Sequence, residues 1–215
     1  MTKQVIEFTC TGNHGRSEPC RIISQYELRL RGLDQKLEAA SSGTLVDVIA
    51  NGTAPISDNI ACIQLALDRG DVYTPEQAGI LYSAMIENDD GPINELYSIC
   101  RNVFDREEEE WREEWLLEFN KRHGTVECIK GTRDQTRPNP NVVALFTMTQ
   151  SNQKAATEIY RLSGYDPLIE VLPVFVTGKR DSSVVNAFGT SNERYQAMAA
   201  QLEELVPRAI DLLLR

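Results

Sequence analysis

Cys10 and Arg16 stand with five residues between them in the run Cys10-Thr11-Gly12-Asn13-His14-Gly15-Arg16-Ser17. A thiolate is a strong nucleophile, and a guanidinium grips an oxyanion through parallel N–H groups. The intervening glycines let backbone amides converge on one point, as anion-binding loops require. A nucleophile beneath an anion cradle, with a cation at its rim, is apparatus for attacking phosphorus. The plain alternative is a structural turn holding a buried thiol, so the surrounding elements must decide.

Those elements have the right order. Val5-Ile6-Glu7-Phe8 reads as a short buried strand, and Cys20, Ile23, Tyr26 and Leu30 fall on one face of a helix spanning about Ser17 to Arg31, stopped near Gly32. A strand running through a glycine-bearing loop into a helix aims loop amides and the helix dipole at a bound anion.

The run resembles the loop of the low-molecular-weight protein tyrosine phosphatases, C-x-G-N-x-x-R-S after the first strand. A second short strand over Lys36–Ser41 leads to Ser41-Ser42-Gly43-Thr44, similar to an S-A-G-T element of that family. Gly52, Pro55 and an amphipathic helix over Asp58–Arg69, closed by Gly70, fit its sequel. Thr147-Met148-Thr149-Gln150-Ser151 resembles the T-M-x-x-S turn that follows a later strand.

The resemblance implies a mechanism without a metal or other cofactor. Cys10 attacks phosphorus and forms a phosphocysteine that water hydrolyses. Arg16 and the loop positions Thr11, Gly12, Asn13, His14 and Gly15 hold the phosphate; Asn13 also fixes the loop backbone, and Ser17 hydrogen-bonds the thiolate. The general acid of the family is an aspartate in a D-P element before the last helix. Here Val185-Asn186-Ala187-Phe188-Gly189 puts Asn186 in that place, and an amide cannot act as the acid. Asp181 is the expected substitute, the alternative being a slow hydrolase with weak activity for want of the usual acid. Asp166, in the only D-P pair, precedes the last strand and is the weaker choice. His14 is expected at the rim or against substrate in preference to an acid role. Gly15 replaces a cysteine common in relatives, so a neighbouring protective disulfide is not available, and Cys20 reads as a packed helix residue. Arsenate reduction on the same loop is the rival chemistry, although Cys62, Cys100 and Cys128 form no obvious pair in sequence. A phosphate-binding adaptor without turnover is the non-enzymatic rival.

Bulk properties narrow the partners. A formal net charge of −10 over 215 residues and a pI near 4.8 disfavour nucleic acid and anionic membranes. The five cysteines are scattered, against a disulfide framework or a zinc site. No apolar run suffices for a bilayer span and no signal peptide is evident, so a cytoplasmic protein is expected; the resemblance implies that it acts on a phosphorylated protein or small phosphomonoester.

Residues 71–140 depart from the family pattern and read as a helical insertion. Thr74-Pro75-Glu76-Gln77 is a capped helix start, Asn88 to Pro92 a turn cluster, and Ile93–Arg122 a long helix. Its second half, from Asp105, is heavily acidic and carries Trp111 and Trp115 one turn apart. The preferred reading is a solvated acidic face whose tryptophans pack on the parent domain; a lid that screens substrates or a protein-partner surface at 105–119 is the alternative.

The pattern resumes with a strand at Val142–Phe146. Ser151 should cap a helix that turns Ala155, Ile159 and Leu162 inward, and Glu170–Thr177 should form an edge strand containing Pro173. Ser191 should cap a last helix with Tyr195, Met198, Leu202, Leu205, Ala209 and Leu213 on one face and a kink at Pro207. The alternation predicts a single α/β domain over residues 1–215, with a four-stranded parallel sheet flanked by helices.

Overall fold

The structure, a computed structural model, describes residues 2–51, 56–87 and 90–215. Four strands, β1 (Gln4–Cys10), β2 (Leu37–Gly43), β3 (Val142–Thr147) and β4 (Leu168–Val171), form one parallel sheet in the order β2-β1-β3-β4. Eight helices surround it among the described residues: α1 (Ser17–Leu30), α2 (Val46–Ala50), α3 (Ile56–Arg69), α4 (Pro75–Glu87), α5 (Asp90–His123), α6 (Gln150–Arg161), α7 (Leu172–Thr177) and α8 (Asn192–Leu213). No helix is long and apolar enough to cross a membrane among the described residues.

Strand alternation divides the core. Ile6, Phe8 and Cys10 of β1 and Ala144 and Phe146 of β3 face one way, into a core shared with α1 and α8. Val5 and Leu145 face the other way, against Ala156 and Tyr160 of α6, and Val142 joins them because the register shifts by one residue between Val5 and Ile6. This two-residue period is what a central strand covered on both faces must show.

Residues 71–140 are stitched to the sheet domain at two levels. The first half of α5 packs Leu96, Cys100 and Phe104 against Ile63 and Ala66 of α3 and Leu81 and Ala84 of α4. Its second half sends Trp115, Leu116 and Phe119 into the main core beside α1 and α8, with Trp111 packed against that core. Thr74 and Gln77 satisfy each other's backbone amides in a complete capping box, which fixes the start of α4. The following connector returns alongside β2, where Gly43 N donates to Asp134 O at 2.9 Å and Thr136 N donates to Gly43 O at 2.8 Å.

Several boundaries differ from expectation. The apolar run predicted as a strand over 170–177 divides into β4 and α7: Pro173 sits in the first turn of the helix, and Gly178, at φ 71°, caps it through a bond to Val174 O of 2.8 Å. A short apolar run has no period of its own, so Pro and Gly set the outcome. Thr149, not Ser151, caps α6, its Oγ1 accepting from Asn152 N. The inward face of α6 is accordingly Asn152, Ala156 and Tyr160, and Leu162 is exposed. Ser191 does cap α8, which continues through Pro207 as one helix. α5 begins at Asp90, so Pro92 lies in its first turn; Gly52, Pro55, Asn88 and Asp89 fall outside the described residues.

Candidate active site

The loop from Cys10 to Arg16 leaves the C-terminal end of β1, a central strand, where parallel sheets bind their ligands. Its curvature depends on Asn13, the one non-glycine among the described residues with positive φ, at 49°. Asn tolerates this left-handed region better than most residues. Its side chain holds the turn from both sides: Nδ2 donates to Ser41 O at 3.4 Å, and Oδ1 accepts from Ser17 Oγ at 3.0 Å.

The Ser41-Ser42-Gly43-Thr44 element is the outer wall of this loop. A Cβ on Gly43 would lie 2.5 Å from Asn13 N and 2.7 Å from Thr11 O, so only glycine lets β2 approach so closely. Just beyond it, Thr44 N donates to Cys10 O and Leu45 N to Thr11 O, each at 2.9 Å. From the other side Asn152 of α6 donates to Thr11 Oγ1 at 3.2 Å. Neighbouring elements thus hold the loop by the carbonyls of Cys10 and Thr11 and by the Thr11 side chain.

Cys10 lies at the floor of a cleft and is nearly buried. Burial pushes its thiol up. The Arg16 charge, the Ser17 hydroxyl and the backbone N–H groups of His14 and Ser17 outweigh that effect and hold the thiol below the ordinary cysteine range. Ser17 Oγ is 3.2 Å from the sulfur, and its one proton has two acceptors, the sulfur and Asn13 Oδ1. A thiolate is the stronger acceptor of the two because it is charged. Arg16 stands at the entrance to α1 and also lines the cleft; among the described residues no carboxylate pairs with it. Cys20, behind Cys10, is fully buried in the main core, and burial raises its thiol well above the usual range.

The cleft has a wall that the loop sequence does not announce. Arg101, Asp105, Glu108 and Arg112 recur every three or four residues along α5, in phase with Trp115 and Phe119. The aromatic half of this stripe is core, and the charged half lies over the loop. Glu108 and Arg112 are buried at 3% and 4% exposure, whereas Glu109, Glu110, Glu113 and Glu114 remain exposed. Glu108 Oε2 is 2.8 Å from His14 Nδ1, and Asp105 Oδ1 is 3.9 Å from the same nitrogen. Arg112 donates to His14 O at 3.1 Å. Arg101 pairs with Asp105, stacks 4.7 Å from the centre of the Phe188 ring and lines the cleft. The solvated acidic face is therefore only part of this segment.

Of the residues singled out in sequence, Cys10, Thr11, Gly12, His14, Gly15 and Arg16 line the cleft together. Asn13 and Ser17 brace it from behind. His14 is 6% exposed and hydrogen-bonded, which places it inside the cleft instead of on its rim. Asp181 lies exposed in a turn after α7, outside the cleft lining. The chain is anchored three residues later, where Val184 N donates to Met148 O at 3.0 Å, and reaches the cleft only with Asn186 and Phe188. Asp166 is exposed before the N-terminal end of β4, across the sheet from Cys10. Among the described residues no group of three or more His, Cys, Asp or Glu is placed to hold a metal ion.

Glu108, Asp105, Arg101 and Ile49 were not recognised from sequence. The heptad-like phase with Trp115 and Phe119 was the available signal, hidden by the many acidic neighbours. A second recess opens from the cleft between Ile49, Ala61, Leu65, Tyr97 and Phe188, and Cys62 lines it too. Cys62 Sγ is 3.4 Å from Cys100 Sγ, so two thiols that are distant in sequence are adjacent in space. Their hydrogen bond raises the Cys62 thiol and lowers that of Cys100.

No protein-family model matches the chain, and no curated protein matches it significantly. Solved structures do. A YwlE mutant from Bacillus subtilis superposes with a TM-score of 0.56 at 16% identity, covering 99% of this chain and 100% of that one. A low-molecular-weight protein tyrosine phosphatase from Bacillus subtilis gives 0.54 at 16% identity, covering 98% and 97%. A YwlE arginine phosphatase with a phosphorylated active-site serine gives 0.52 at 16% identity, covering 98% and 96%. The chain has the low-molecular-weight protein tyrosine phosphatase fold. Here the loop after β1 sits between the end of β2, where Gly43 abuts Thr11 and Asn13, and the chain that precedes α8, where Phe188 lines the same cleft as Cys10.

Proposed function

We propose that the protein is a cysteine-dependent phosphatase that hydrolyses phosphomonoesters through a phosphocysteine. The observation that carries this reading is the Cys10 sulfur, held below its ordinary pKa at the floor of the cleft that Arg16 also lines, with no carboxylate among the described residues paired to that arginine. The thiolate attacks phosphorus in line with the leaving oxygen. Loop amides, the α1 dipole and Arg16 stabilise the equatorial oxygens as charge develops there. Ser17 stabilises the thiolate again when it leaves in the hydrolytic step.

A phosphoprotein is the substrate class this reading favours. The recess beside the cleft is walled by Ile49, Leu65, Tyr97 and Phe188, a surface suited to an aromatic or aliphatic side chain bearing the phosphate. The solved structures of the same fold include tyrosine and arginine phosphatases, consistent with a phosphorylated side chain. Hydrolysis of p-nitrophenyl phosphate by the purified protein, lost in Cys10→Ser, is the expected result. A Cys10→Ser protein as active as the parent would refute the mechanism.

The Cys62–Cys100 contact supports a second reading, a thiol-dependent arsenate reductase, because it supplies the adjacent thiols that sequence spacing did not reveal. Arsenate turnover with a thiol reductant, abolished by Cys62→Ser, would favour that reading; its absence alongside ester hydrolysis favours the phosphatase.

A further inference from the structure

We propose that His14 is the general acid and base of the phosphatase reaction and that Glu108 of α5 is its positioning residue. This rests on the phosphatase reading above. A departing alkoxide needs a proton, and Asn186, which lines the cleft and stands where the resemblance puts the acid, cannot give one up and recover it. Among the residues lining the cleft, His14 and Glu108 are the groups that can transfer a proton besides Cys10 itself.

Three observations single out this pair. His14 belongs to the loop that holds the phosphate, so its ring is one residue from the amides that fix the substrate. Glu108 Oε2 lies 2.8 Å from Nδ1, which leaves the other ring nitrogen, Nε2, for the substrate. Finally, Gly15 makes room for the carboxylate: a Cβ there would overlap it, with Glu108 Cδ at 2.6 Å. The space that a side chain on residue 15 would fill is here the seat of the positioning carboxylate. Glu108 fixes the ring orientation, as a carboxylate does for other catalytic imidazoles.

Proton and electron counts close. In the first step the Cys10 thiolate forms the S–P bond, the P–O bond to the leaving group breaks, and its electron pair takes the Nε2 proton of doubly protonated His14. In the second step water attacks phosphorus and gives a proton to Nε2, the S–P bond breaks, and its electron pair returns to sulfur. Glu108 accepts from Nδ1 throughout.

The test is the dependence of kcat/KM on leaving group, with p-nitrophenyl phosphate and phenyl phosphate as probes, in the parent, His14→Gln, Glu108→Ala and Glu108→Gln. General acid catalysis is worth about 10²–10⁴-fold, so the ratio of the two substrates' kcat/KM should rise by about 10²-fold or more in His14→Gln. Glu108→Ala should steepen the dependence in the same sense, and Glu108→Gln, whose amide oxygen still accepts from Nδ1, should restore much of it. The alkaline limb of the parent pH profile should vanish in His14→Gln. The charged and titratable groups facing His14 are Glu108, Asp105 and Arg112 from α5 and Cys10 and Arg16 from its own loop. The limb is therefore compared in Asp105→Asn as well, where it should persist.

Competitive inhibition by inorganic phosphate reports whether each variant keeps its cradle. Equal losses on both esters with phosphate inhibition retained would overturn the acid role while leaving the phosphatase intact. Should His14→Gln disrupt the loop, the Glu108 pair decides, because it leaves the loop sequence unchanged. A parent that hydrolyses neither ester would overturn the phosphatase reading and this proposal with it.

Discussion

Gly43→Ala tests whether the end of β2 shapes the Cys10–Arg16 loop. The new Cβ would sit 2.5 Å from Asn13 N, 2.7 Å from Thr11 O and 2.8 Å from Val46 Cγ2, against an ordinary contact of 3.4–4 Å. The first two are backbone atoms of the loop and cannot rotate away, so the loop must retreat by roughly 1 Å, and misplacement on that scale costs about 10²-fold in rate. Overpacking of this kind costs about 1–3 kcal/mol, which for a chain of this size lowers Tm by roughly 2–12 °C. The bonds of Thr44 N to Cys10 O and of Leu45 N to Thr11 O would be strained together. Thermal unfolding by circular dichroism and p-nitrophenyl phosphate kinetics measure the two effects. Gly131→Ala, with nothing within 4 Å of its Cβ, is the control and should stay within about 0.5 kcal/mol of the parent. A Gly43→Ala protein with parental kinetics and phosphate inhibition would show that β2 does not set the loop.

Gly15→Ala should displace the Glu108 carboxylate from His14 and reproduce the leaving-group dependence of Glu108→Ala, read from the same pair of esters. Cys10, its thiol depressed chiefly by Arg16 against the opposing effect of burial, should react with iodoacetamide at a pH where the exposed Cys128 does not; the reaction should fade only as pH falls through the depressed value, and Arg16→Gln should move it upward. Trp115→Ala removes a side chain 3% exposed in the main core and its bond to Glu203, so urea unfolding should report a loss of about 3–5 kcal/mol. Mild oxidation should join Cys62 to Cys100, detectable by peptide mapping, because their sulfurs already touch.

The sequence by itself determined the loop and the elements around it. Cys10, Gly12, Asn13, Arg16 and Ser17 are adjacent in the chain, and each has a local conformational or chemical reason for its place. The alternation of strand and helix likewise follows from side-chain period, so the parallel sheet was legible, with α7 mistaken for strand because a short apolar run has no period of its own. What only the tertiary structure decided is the far wall of the cleft. Glu108 is 94 residues from His14, and Cys62 is 38 from Cys100; nothing local to either member selects its partner. The phase of α5 is fixed by burying Trp115 and Phe119 in the main core, and that rotation carries Glu108 and Arg101 over the loop. Asn186 looked in sequence like the loss of an acid. In three dimensions the cleft that Asn186 lines holds a histidine–carboxylate pair assembled by packing.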